Sequence, residues 1–123
     1  MPASTDPPRP PVDPAVLDRL AADLGDLADI VDVYVRALSR RCGEIAQALA
    51  DGDAEGVSRG AHTLRSASAF LGAVDVVELC DRLEREARAG FVVTDRGREL
   101  TDACRSAERE LRALTRRADA PER

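Results

Sequence analysis

The only histidine in this 123-residue chain is His62, within residues 53–90, DAEGVSRGAHTLRSASAFLGAVDVVELCDRLEREARAG. No second metal ligand, and no serine paired with an acid, stands at a spacing that would build a metal centre or a nucleophilic triad around it. Read as a helix at about 100° per residue, Val57, Ala61, Leu64, Ser68 and Leu71 alternate four and three apart and form one mostly apolar stripe. His62 falls about 140° from the centre of that stripe, so it faces water. Arg59, Ser66, Ala69 and Phe70 lie within two turns of it on the same outward side, and Arg65 flanks it at i+3. Small side chains leave the imidazole uncovered. Phe70 takes a place where a surface helix ordinarily carries a charge, which makes it a candidate anchor for a docking partner.

A residue of this kind needs a rigid support, and the rest of the chain reads as one. Residues 1–12, MPASTDPPRPPV, are proline-rich and aperiodic and are expected to be a disordered lead-in without a function of its own. Asp13 before Pro14 is an N-cap signal. Val16, Leu17, Leu20 and Leu24 then give a short helix that Gly25 ends, placed as a lid on the end of the bundle. Asp26 can cap a long helix carrying Leu27, Ile30, Val31, Tyr34, Leu38, Cys42, Ile45 and Leu49, and Gly52 stops it. Asp53 can cap the histidine helix, which Gly72 closes. Gly56 and Gly60 weaken that helix intrinsically by about 1 kcal/mol each relative to alanine, and close approach of a neighbouring helix is one reason to have them.

Asp75 and Glu78 have capping-box spacing for the next helix, with Val76, Cys80, Leu83 and Ala87 as its core face and Gly90 as its end. Thr94 or Asp95 caps the last, which carries Leu100, Ala103, Cys104, Ala107, Leu111 and Leu114. The expectation is an all-α fold, an antiparallel up-down four-helix bundle over residues 13–118 with a short extra N-terminal helix and a frayed tail at 119–123.

Composition narrows the function. Charged residues make up 33% and the formal net charge is −5, with no basic patch interleaved with aromatics, so nucleic acid is not an expected partner. No run approaches the roughly 18 apolar residues of a membrane span, and no leader pattern opens the chain; a cytoplasmic monomer is expected. Cys42, Cys80 and Cys104 are well separated, with no CxxC, and read as small buried hydrophobes; no metal site is expected. All 18 basic residues are arginine, so an arginine at a given place reflects coding preference as much as chemistry.

The run AHTLRSASAFLGAVDVVELCDRLE resembles the phosphoacceptor motif of histidine-containing phosphotransfer domains of bacterial phosphorelays, whose pattern is AHxLKGSSxxxGAxxLxxLCxxLE. Ala61, His62, Leu64, Ser68, Gly72, Ala73, Leu79, Cys80, Leu83 and Glu84 match it in register. The resemblance implies that His62 is the phosphorylated side chain and that Arg65 stands for the lysine that steadies the phosphoryl group. It also implies that Glu84 accepts a hydrogen bond from Nδ1–H and leaves Nε2 as the nucleophile; Arg88, one turn further along the helix, is placed to tether Glu84.

An imidazole with an ordinary pKa near 6.5 is largely neutral in the cytoplasm and attacks an aspartyl phosphate without a dedicated base. The implied partners are receiver domains of response regulators or hybrid kinases. They would bring the Mg²⁺, so this chain is expected to need no cofactor of its own and to be a phosphocarrier, not a kinase. Two departures from the pattern bear on the chemistry: Arg65 replaces lysine, and Ser66 replaces a glycine that lets a partner approach closely. Two other readings fit the sequence less well. A kinase dimerisation hairpin would have an acid after the histidine, where this chain has Thr63. A non-transferring bundle would keep the fold and only bind receivers or act as a scaffold.

Overall fold

A computed structural model of the chain describes residues 10–119. Five helices follow in order: α1 (Pro14–Leu24), α2 (Ala28–Ala50), α3 (Ala54–Phe70), α4 (Val74–Arg88) and α5 (Arg96–Asp119), and no strand occurs among the described residues. The four long helices pack in a ring, α3 against α2 and α4, and α5 against the same two from the other side. Connections this short make neighbours antiparallel, so the fold is an up-down four-helix bundle with α1 as an extra N-terminal helix.

The apolar stripes meet on the bundle axis. Leu38, Ile45 and Leu49 from α2, Val57 and Leu64 from α3, Val76 and Leu83 from α4, and Leu100 and Leu111 from α5 are all essentially without exposure. Burying each such side chain contributes about 1.5–3 kcal/mol. One polar pair lies among them: Tyr34 Oη and Ser68 Oγ are 2.7 Å apart and buried, so each satisfies the other and α2 is tied to α3. Burial raises the Tyr34 phenol well above its ordinary value, because the charged form would lose its hydration there.

Contacts at both ends of the histidine helix offset its weak propensity. Asp53 Oδ1 accepts from the Gly56 N–H at 3.0 Å, the expected cap. Gly60 has a packing reason: a Cβ there would lie 2.8 Å from Ile45 Cγ1, so α2 and α3 approach over a glycine. At the far end Gly72 has φ +74, a conformation L side chains avoid, and a Cβ on it would meet Val16 Cβ at 2.9 Å. Its carbonyl accepts from the Asp13 N–H at 2.9 Å, so the start of α1 is pinned to the turn between α3 and α4.

That pinning corrects the expected boundary of the lead-in. Residues 1–9 lie outside the described residues, but Val12 is fully buried and belongs to the core; one valine among prolines carries no periodic signal. α5 runs through Asp119, and residues 120–123 of the expected tail lie outside the described residues. The capping box at Asp75 is also corrected. α4 begins at Val74 with Ala73 as its N-cap and no side-chain cap bond, which puts Asp75 inside the first turn. The turn is tight enough for the Ala73 N–H to reach the Ser68 carbonyl at 2.9 Å, so the chain enters α4 before Asp75 is reached. Asp26 does receive the Ala28 N–H at 2.9 Å, one residue ahead of the N-cap Leu27.

Candidate functional site

The seam between α3 and α4 brings together an exposed imidazole and a buried carboxylate. His62, 59% exposed at its side chain, projects from the middle of α3, while Glu84 on α4 is 3% exposed. Nδ1 of His62 is 3.3 Å from Glu84 Oε1 and 3.2 Å from Oε2. A buried carboxylate is costly unless it is paired and hydrogen-bonded, and Glu84 is: Arg88 Nη2 lies 3.0 Å and Arg65 Nη2 3.6 Å from Oε1.

These contacts fix the ring's tautomer by argument from the donor inventory. A carboxylate only accepts, so Nδ1 carries the proton and donates it to Glu84, and the lone pair is on Nε2. Arg65 Nη2 is also 3.3 Å from Nδ1; with Nδ1 protonated that approach sets donor against donor and contributes no bond. The guanidinium instead directs its donors to carboxylates, with Nη1 3.3 Å from Asp81 Oδ1.

His62, Arg65, Glu84 and Arg88 are thus brought into one cluster. Ser66, exposed, turns its hydroxyl back to donate to the His62 carbonyl at 3.2 Å, which holds it against its own helix. Arg59 is directed away, to Glu55 at 3.8 Å, and is not part of the cluster. Ala69 and Phe70 are exposed on the outward side, Phe70 at 53%, eight residues and so about 12 Å along the helix from His62. Val33 on α2 is a further exposed apolar side chain, at 68%.

Asp81 is the member of the cluster that sequence reasoning misses. It takes Arg65 on one oxygen and Arg85 Nε, 3.2 Å away, on the other. The one signal for it in the sequence is its position three before Glu84, on the same face of α4. Among the described residues, no group of three or more His, Cys, Asp or Glu side chains is arranged to hold a metal ion, and no helix is long and apolar enough to cross a membrane.

A four-helix bundle with one solvent-facing histidine backed by a buried acid defines a class, and residues 29–121 match the model of the Hpt domain: the chain belongs to the Hpt domain family. Its role is phosphotransfer in phosphorelays, as a phosphocarrier module of the kind that interacts with receiver domains. Among solved structures it is similar to histidine-containing phosphotransfer protein B (HptB) from Pseudomonas aeruginosa PAO1, with 27% identity and a TM-score of 0.72 over 90% of this chain and 96% of that one. No curated protein sequence matches this chain.

Proposed function

We propose that His62 takes a phosphoryl group from the aspartate of one receiver domain and returns it to the aspartate of another. Nε2 attacks phosphorus, the N–P bond forms as the P–O bond to the aspartyl carboxylate breaks, and the carboxylate leaves with the electron pair. The ring, having kept its proton on Nδ1, then bears positive charge. The observation that carries this reading is Glu84, a buried carboxylate 3.2 Å from Nδ1, placed where that charge develops and where it costs no reorganisation. Arg65 supplies a cation one turn from the histidine for the phosphoryl oxygens. The exposed Phe70 offers an apolar footing for a receiver.

Mg²⁺, on this reading, is bound by the receiver, and the protein works as a cytoplasmic monomer. The test is incubation with a phosphorylated receiver, with ATP alone as a parallel reaction. Label should move to an acid-labile, alkali-stable adduct on His62, vanish in His62→Gln, and not arise from ATP. A native-like His62→Gln that still accepts label, or a wild type that accepts none from any receiver, overturns the proposal.

A further inference from the structure

The seam opposite the histidine holds two thiols that phosphotransfer does not use. Cys42 on α2 and Cys104 on α5 are 8% and 5% exposed and line one surface cavity of about 210 Å³, together with Leu38, Thr101, Arg105 and Glu108. Cys42 Sγ lies 3.8 Å from the Thr101 hydroxyl, and Thr101 is one turn ahead of Cys104 on the same helix, so both thiols sit at the α2–α5 contact and border the same cavity. The third thiol, Cys80, is wholly buried, and burial pushes it up to about 12. The environments therefore separate a reachable pair from an inert single.

We infer that Cys42 and Cys104 form a peroxide-responsive dithiol that closes to an intramolecular disulfide. Cys42 is the attacking group. Its thiol is held below the ordinary value, first by the Cys104 thiol beside it, then by Thr101 and the Arg105 cation, while Cys104 is pushed up and keeps its proton. The cavity has room for a peroxide, little larger than a water of about 30 Å³. The Cys42 thiolate attacks one peroxide oxygen, the O–O bond breaks, and the departing hydroxide takes a proton to leave as water; Cys42 becomes a sulfenic acid. The Cys104 sulfur then attacks Cys42 sulfur, the S–O bond breaks, and the second hydroxide leaves as water with the proton from Cys104. The peroxide gains two electrons, one from each thiol. The resulting bond staples α2 to α5 on the side of the ring away from the α3–α4 seam.

The full chain, folded, is treated with hydrogen peroxide, alkylated in denaturant, and mapped without reduction. Two of the three free thiols should be lost together, the mass should fall by two hydrogen atoms, and one peptide pair should join Cys42 to Cys104 while Cys80 alkylates fully. Dithiothreitol should restore all three. Cys80→Ala should give the same cross-link, and Cys42→Ser should give none while keeping the helical spectrum of the wild type. The proposal is overturned by sulfinic acid on Cys42 with Cys104 free, by cross-linked dimers in place of the internal pair, or by three intact thiols after free cysteine in the same solution is fully oxidised. The wild-type map alone decides between these outcomes, so the test holds even where a variant misfolds.

Discussion

Replacing Glu84 by glutamine keeps its size and removes its charge, and the size of the loss follows from the geometry. A full positive charge on the ring, about 4 Å from a carboxylate, is stabilised by about 4 kcal/mol at an effective dielectric of 20. Arg88 at 3.0 Å and Arg65 at 3.6 Å share that carboxylate, and half the ring faces water, so roughly 2 kcal/mol should reach the transition state. Glu84→Gln should therefore slow phosphoryl transfer about thirtyfold. The two arginines lose a partner but are 33% and 67% exposed and can be solvated, so the stability cost should stay near 1 kcal/mol, below that of stranding a buried charge. Rapid-quench transfer from a phosphorylated receiver reads the rate, and thermal melting reads the fold. A native-like Glu84→Gln within about threefold of wild type would refute the claim that this carboxylate stabilises the charged ring.

Arg65→Ala should slow transfer about tenfold in the same assay, while Arg65→Lys, which keeps the charge but cannot fork between Asp81 and Glu84, should stay within about threefold. Phe70→Ala should weaken receiver binding about tenfold by calorimetry and change stability by under about 0.5 kcal/mol, since the ring is already half exposed. Gly72→Ala should cost about 2–3 kcal/mol in denaturant melts, from positive φ and the crowding against Val16. The Glu86 carboxyl is held below the usual 4.5 by Arg96, bonded to it at 3.1 and 2.9 Å. A depressed acid stabilises the fold above its unfolded value and loses that contribution as pH falls through the folded one, so stability should drop below about pH 4.5 and Arg96→Ala should flatten this part of the profile.

The bundle was legible because helical periodicity reports burial directly. Every residue named in the stripe of α3 and its C-cap, from Val57 to Leu71, is buried, and His62 on the opposite arc is exposed. The position of an outward residue along one helix says nothing, however, about which side chain of the next helix it meets. Glu84 is legible through resemblance to a motif and Arg88 through its place one turn on from Glu84, whereas Asp81 lies outside that motif's fixed positions. Val12 escaped because a single apolar residue has no period, and Asp75 misled because spacing alone cannot show that the turn ends two residues earlier, at Ala73.

The bond between His62 and Glu84 spans 22 residues and crosses only the turn at Gly72. Contacts of such short range close early, with little loop entropy to overcome. The reactive pair should thus be set while α2 and α5 are still docking, as a helical hairpin whose chemistry is self-contained. Natural variation has room to act unevenly as a result: α2 and α5 meet the reacting groups only through packing and the Tyr34–Ser68 bond, while a change of one residue in the turn would alter the register of those groups.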